Sequence, residues 1–424
     1  MKHPHEGRTA SLSSPAIASG PGPARPGQLR QVNVGEILRF LRLHTPCSCA
    51  DLARFSGLSA PTVSSTVEYL RSKGLVEQIG RGVSNGGRPP RLLRFNDTFG
   101  YVVGADIGGT TARVALADLN GKIIGKSTVL LNKRSSPKQV VALIVSQIRQ
   151  LERDHRIPHK RLLALAAGAP GITDTRSGIV LSAPNLFGWK NVPLRQMLEK
   201  SVQVPSSVEN DVNLGALGES ASGTARGVKN FVFLAIGSGI GAGIFVNGHL
   251  YHGSDWTAGE IGYLYVPGTE ETPPAMDRRG PLESVIGGQG IERMWREKLA
   301  VNGRCSPQAR QLRLKTSQIF DLAESGNAKA TDVLQHTARI LANAITNVSL
   351  ILDSSLVVLG GGVGNHPALL EATRRVLEQN EFARPQLALS RLGGDAQLHG
   401  AIWLALKMVE QRVQIDASQN KKNR

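Results

Sequence analysis

Residues 101–118, YVVGADIGGTTARVALAD, run an apolar segment into Asp106, then Gly108, Gly109, Thr110 and Thr111, before a second alternating segment leaves. A strand, a tight turn and a second strand with an acid at the first strand's end can hold a phosphate on backbone N–H groups and a magnesium ion on the carboxylate. Glycine turns also occur in ordinary hairpins, so one occurrence does not decide. The same grammar returns in FVFLAIGSGIGAGIFVNG (231–248), where Gly237, Ser238, Gly239 and Gly241 make the turn. Two related phosphate hairpins facing one cleft are the plan of a two-lobed nucleotide-binding fold. A third cluster, SSLVVLGGGVG (354–364), ends a buried strand and opens a helix, ALLEATRRVLEQN. Gly361 and Gly362 there let backbone pass close to a flat ligand such as adenosine. In VENDVNLGALGE (208–219), Asp211 lies between a strand-like stretch and a helix. A carboxylate so placed can take the proton of an attacking hydroxyl in phosphoryl transfer, or it can simply cap the helix.

The elements ahead of these motifs are of another kind. Val34, Ile37, Leu38 and Leu41 have helical spacing, CADLARFSG makes a second short helix ending at Gly57, and Ser59 is a good N-cap for a third helix with Pro61 in its first turn. That helix, APTVSSTVEYLRSKG, buries Val63, Val67 and Leu70 and turns Thr62, Ser64, Ser65 and Arg71 outward, as short polar side chains must be to approach base edges in a major groove. After Gly74, two candidate strands, LVEQIG and RLLRF, are joined by a glycine-rich loop carrying Arg81, Arg88 and Arg91, which reads as a wing. From Arg30 to Asn96 there are ten Arg or Lys and four acids, a surplus suited to salt-sensitive phosphate contacts. The candidate DNA contacts are Ser59, Pro61, Thr62, Ser64, Ser65, Arg71, Arg88 and Arg91. A small trihelical module that docks other proteins is the alternative. The pattern L-A-x-x-x-G-L-S-x-x-T-V-S-x-x-V-x-x-L-x-x-x-G-L-V resembles winged helix-turn-helix repressors over its whole length.

The bulk properties agree with both halves. A chain of 424 residues with 41% hydrophobic and 20% charged residues suits two or three soluble domains. It has no long apolar run for a membrane span, and its first 30 residues, rich in Pro, Gly and Ser, predict a disordered leader without a signal-peptide core, so a cytoplasmic address is expected. The net charge of +17 and pI near 10.2 suggest a polyanionic partner, although surplus charge also serves solubility. Cys47, Cys49 and Cys305 form neither a disulfide framework nor a zinc set.

From about residue 100 to 410 the chain resembles the ROK family (repressors, open reading frames and kinases). DIGGTTAR is similar to its first phosphate motif, GSGIGAGI to its second and LGGGVG to its adenosine motif. AAGAPGITD with SAPNLFGWKNVPL resembles its sugar loops, and GGDAQLHGAIWLALK its closing helix. The resemblance implies an α/β, two-lobed actin/hexokinase-type ATPase fold preceded by an α+β winged helix. The expected layout is a leader (1–30), the winged helix (31–96), the ROK domain (97–412) and a basic tail (413–424) whose end, ASQNKKNR, is either solvated or an extra DNA contact. Carried over by position, the sugar contacts are Gly171, Asn185, Asn210, Asp211, Glu260 and Glu283. Asp106 helps place magnesium, and Asp211 is the base. ATP and Mg2+ are the implied cofactors if kinase activity is retained, and a homodimer on an operator is the implied assembly.

One position departs from the family. Many members write AGEIGH followed by C-x-C-G-x-x-G-C, whose cysteines and histidine hold a structural zinc, and the same histidine touches the sugar. Here that position is Tyr263, and LYVPGTEETPPAMDRRGPLES contains no cysteine, so no structural zinc is expected and ligand identity is open. Metal analysis of untagged protein is expected to find no stoichiometric zinc. Three functions follow: a sugar-responsive regulator, an ATP-dependent sugar kinase with a DNA-binding appendage, and a scaffold with a vestigial kinase fold.

Overall fold

Ser48 and Ser59 start two of the helices of an N-terminal unit in the computed structural model, which describes residues 26–83, 89–132, 134–265, 279–301, 304–305 and 313–419. The helices are α1 (Pro26–Leu43), α2 (Cys49–Ser56) and α3 (Ala60–Ser72). Ser48 and Asp51 form a capping box, Gly57 closes α2 at a left-handed φ of 69°, and Ser59 Oγ accepts the N–H of Thr62. Val34, Ile37, Leu38 and Leu41 of α1 are buried with Leu52, Val63, Val67 and Leu70, as their periodicity predicts. Thr66 and Tyr69, which an apolar count passes over, are buried on the same face of α3. The strands β1 (Val76–Arg81) and β2 (Arg91–Phe95) pair antiparallel, and Cys47 bridges to Leu93 through backbone bonds of 3.1 and 2.8 Å.

This unit comprises residues 1–95 together with 412–424. Two expected boundaries change. Helix α1 begins at Pro26, so residues 26–30 are helical instead of leader. The last helix, Ala396–Gln419, has no glycine or proline to stop it after residue 412, so 413–419 is helix. Ala417 is fully buried, the Tyr69 hydroxyl donates to the Val413 carbonyl at 2.8 Å, and Lys73 lies 3.4 Å from Asp416.

The second unit, residues 96–411, holds two five-stranded sheets of like strand order. In the first, β3 (Tyr101–Ile107), β4 (Thr111–Asp118) and β5 (Ile123–Leu130) form an antiparallel meander; β6 (Leu162–Ala169) pairs parallel with β3, and β10 (Ser206–Asn210) pairs parallel with β6. Helix α4 (Pro137–Asp154) connects β5 to β6, and between β6 and β10 run the small three-stranded sheet β7 (Ile172–Asp174), β8 (Ile179–Ser182) and β9 (Lys190–Val192), and α5 (Leu194–Val202). Helix α6 (Asp211–Ser222) leads to the second sheet, where β11 (Phe231–Ile236), β12 (Ile240–Val246) and β13 (His249–Leu250) repeat the meander and the strands Leu356–Gly360 and Gln386–Leu389 add in parallel. All seven residues of β3 are buried, the mark of a strand covered on both faces. A side chain at Gly104 would meet Ala401 and Ile402 at 3.1 Å, so the last helix lies directly against β3. The glycine turns therefore occupy equivalent places in two related sheets, joined through α6.

Candidate functional site

The end of β10 and the turn before β7 build one wall of a cleft. Gly171 has a φ of +80°, and a Cβ there would stand 2.1 Å from the Ser182 carbonyl oxygen, so the turn admits only glycine. Its own carbonyl accepts Asn210 Nδ2 at 2.9 Å. Asn210 Oδ1 in turn accepts the Asn213 N–H at 3.0 Å and is the N-cap of α6. The N-cap role thus belongs to Asn210, while Asp211 Oδ1 accepts the adjacent Val212 N–H, at 2.9 Å. Burial, then the charges of Asp106 and Glu260, push the Asp211 carboxyl up to about 8. Glu260 is raised by burial and by Glu283. Glu283 Oε2 accepts the Ile240 N–H at 3.2 Å, and its other oxygen lies 3.6 Å from Arg279 Nε. Gly259 has a φ of +91°, and a Cβ there would stand 1.9 Å from the Ala242 oxygen, which fixes the backbone just before Glu260. Asp106, Asp211, Glu260 and Glu283 therefore share one field, with Asn210 and Gly171 hydrogen-bonded beside them. Tyr263 is half-buried at the end of the 3-10 turn Ile261–Tyr263. Asn185 is exposed in the loop between β8 and β9, apart from this hydrogen-bonded set.

The glycine turns read as phosphate cradles have this geometry. The Gly108 N–H donates to the Thr111 carbonyl at 2.8 Å, and Gly109 and Thr110 are exposed with open space above Gly109. Gly237 N–H donates to the Gly239 carbonyl at 2.9 Å. Gly361 has φ +82°, with a Cβ position 2.5 Å from the Ile236 oxygen. Its cluster opens a separate single turn, Gly361–Gly364, before the longer helix Pro367–Leu377. A cavity of about 730 Å³ is lined by Gly237, Ser238 and Gly362 with Arg279, Arg293, Arg296 and Lys315. At Gly241 a side chain would meet Val212 at 3.0 Å, so the glycine also lets β12 pack closely on α6.

Motif reading passed over Arg113. Its Nε and Nη2 lie 2.9 and 2.6 Å from Asp106 Oδ2, and it also reaches the Gly394 carbonyl. Burial raises the Asp106 carboxyl while this guanidinium lowers it. The hairpin register pairs Asp106 directly with Arg113, so the signal was present in the sequence. The residues fit a nucleotide and its metal: open glycine backbone and four cations suit phosphate oxygens, and Asp106 raising Asp211 is a carboxylate repulsion that a divalent cation would offset.

On α3, Ser64 and Ser65 are exposed, as is Pro61. Ser59 Oγ lies 2.8 Å from Thr62 Oγ1, so these two hydroxyls engage each other at the helix start. Arg71 pairs with Glu68 at 3.1 Å, and Arg91 is exposed at the start of β2. Arg88 lies outside the described residues. Among the described residues no helix is long and apolar enough to cross a membrane.

Two like sheets around a cleft of acids and glycine turns, with a winged helix in the N-terminal unit, define a two-lobed kinase-type fold joined to a helix-turn-helix module. The chain belongs to the ROK family, whose model matches residues 102–408, and a MarR family model matches residues 31–85. It is 31% identical over 319 residues to a glucokinase of Halalkalibacterium halodurans, covering 72% of this chain and 94% of that one. It is 29% identical over 364 residues to a xylose repressor of Bacillus spizizenii, covering 85% and 90%. Among solved structures, a ROK hexokinase from Thermus thermophilus is 31% identical with TM-score 0.58 over 73% of this chain and 99% of that one. A ROK family transcriptional regulator described as a homologue of the Escherichia coli Mlc protein shares the fold with TM-score 0.76, 23% identity and coverage of 93% and 98%.

Proposed function

We propose that this protein is a transcriptional repressor that binds operator DNA through α3 and its wing and responds to a sugar held by Gly171, Asn210, Asp211, Glu260 and Glu283, with Tyr263 at the cleft edge. The observation that carries the reading is the union, in one chain, of an exposed polar recognition helix with a cleft of planar acids and an amide, groups that bind vicinal hydroxyls in bidentate fashion. Closure of the lobes on the sugar changes how the paired winged helices of a homodimer match two half-sites. Moving such an equilibrium from mostly bound to mostly released takes roughly 5 kcal/mol of differential affinity. A gel shift with a native promoter fragment, repeated over a sugar panel, tests it. At least one sugar is expected to weaken the complex, and an unchanged shift with every sugar overturns the reading.

The intact phosphate turns and the raised Asp211 support a second activity, ATP-dependent phosphorylation of a sugar hydroxyl. Asp106 would help hold Mg2+, which would supply charge neutralisation at the transferred phosphate, while Asp211 takes the hydroxyl proton. ADP release on a sugar panel, absent in Asp211→Asn, is the expected sign of it. For the DNA module, Arg91→Ala is expected to weaken operator binding a few-fold and to reduce the slope of log K against log salt by about 1. Ser64→Ala is expected to change base preference with the slope kept.

A further inference from the structure

Trp256 stands at a φ of +62°, a conformation that a large side chain adopts only at a cost of order 1–2 kcal/mol. It lies in the loop that leads to Glu260, and its indole is only partly buried while Ser254, Asp255 and Thr257 around it are exposed. Two groups hold the ring. His252 meets it edge-on at a centroid distance of 5.4 Å, and the Arg176 guanidinium, from the turn between β7 and β8, lies 5.5 Å from its centroid. That turn is itself pinned: Arg176 N–H donates to Asp174, and the Arg176 carbonyl accepts Arg195.

His252 ties this platform to the cleft. Its Nε2 lies 2.8 Å from Glu209 Oε2, and the other oxygen of that buried carboxylate accepts the Asn210 N–H at 2.8 Å and Asn213 Nδ2 at 3.0 Å. Trp256 is thus one imidazole away from the strand end that carries Asn210 and Asp211. The inner cleft is acids and amides, enough to satisfy the hydroxyls of one pyranose. The next surface outward offers an indole and a guanidinium. An indole face buries the C–H face of a sugar ring, and guanidinium N–H groups donate to its hydroxyls.

Building on the sugar-sensing reading above, we propose that the cleft takes a glycoside of at least two rings, the first on the acids and the second stacked on the Trp256 face opposite the one that Arg176 covers. The strained, half-exposed indole is then set in place for the ligand.

Isothermal titration of the full-length protein with glucose, cellobiose, maltose, xylose, xylobiose and glucose 6-phosphate tests this. At least one disaccharide is expected to bind ten-fold or more tighter than its own monosaccharide. Trp256→Gly, which suits the backbone angle, is expected to bring the two within two-fold while leaving the monosaccharide Kd within two-fold of the wild type, and Arg176→Gln to remove part of the preference. Three results overturn it: monosaccharides binding as tightly as every disaccharide, a preference for the phosphorylated sugar, or Trp256→Gly weakening both classes alike. Any of these leaves the one-ring sensor standing, whereas binding of no sugar at all removes the sensor reading as well.

Discussion

Asp211→Asn is expected to stabilise the protein against urea increasingly as pH rises from 4 to 8, and to weaken sugar binding by ten-fold or more. The Asp211 carboxyl titrates at about 8 in the folded chain against an ordinary 3.8. Below pH 4 both folded and unfolded states keep the proton, and the carboxyl contributes no difference. Between 4 and 8 the unfolded state releases it and the folded state retains it, so unfolding becomes easier by about 1.4 kcal/mol for each pH unit. An amide has no such proton to release. The variant should therefore match the wild type at pH 4 and exceed it by roughly 2–3 kcal/mol at pH 6, with the gap widening toward 8. Binding moves the other way, because the amide presents N–H donors where the carboxyl offered a hydroxyl-accepting oxygen and leaves a buried sugar hydroxyl unsatisfied, a loss of about 1–3 kcal/mol. Stability and ligand affinity of opposite sign are what a functional carboxylate held in a poor environment produces. Parallel stability curves for the two proteins between pH 4 and 8 would show that Asp211 carries no such strain.

Glu219→Ala is expected to cost about 3–5 kcal/mol and to loosen the phosphate side of the cleft as well. Glu219 is fully buried near the end of α6. Its Oε2 accepts the Thr224 N–H at 2.6 Å, and its Oε1 accepts the Leu392 N–H at 3.2 Å and the Ser390 hydroxyl. Truncation leaves one buried donor, the Ser390 hydroxyl, and two partly buried backbone N–H groups without an acceptor, and a void beside them. The loop it anchors continues through Gly393, whose N–H donates to Ser390 Oγ at 2.8 Å, to Gly394, whose carbonyl meets Arg113. Arg113 is the partner of Asp106, so nucleotide affinity should fall along with the urea midpoint. Glu219→Gln keeps one acceptor and should lose less. A loss below 1 kcal/mol for the alanine variant would mean that water replaces the carboxylate and that the loop stands without it.

Local order was legible wherever one residue type answers one backbone need. Ser59 before a proline marked the start of α3, and Gly57 marked the end of α2. The two glycine turns announced two hairpins, and the sheets bear this out with equal strand order. Gly171 was named as a sugar-loop residue by resemblance, and its φ of +80° supplies the physical reason for glycine there. What failed to show was dependent on partners far along the chain. Gly241 reads as part of a phosphate turn, and its close approach to Val212 of α6 is a packing need that the local pattern does not carry. The segment 413–419 reads as part of a polar tail, and its hold on the N-terminal unit includes a bond from Tyr69, 344 residues away, to the Val413 carbonyl.

The sequence by itself determined the elements, the winged helix and the glycine turns, since capping, left-handed φ and alternating burial are settled within a few residues. Only the tertiary structure decided which groups share a field. It made Asn210 the cap, set Arg113 on Asp106, brought Arg279, Arg293, Arg296 and Lys315 around one cavity, and linked Trp256 through His252 to Glu209. The physical reason is that Coulomb and hydrogen-bond energies depend on separations of a few ångströms, and those are fixed by how the two sheets pack on α6, a contact that no short window of residues contains.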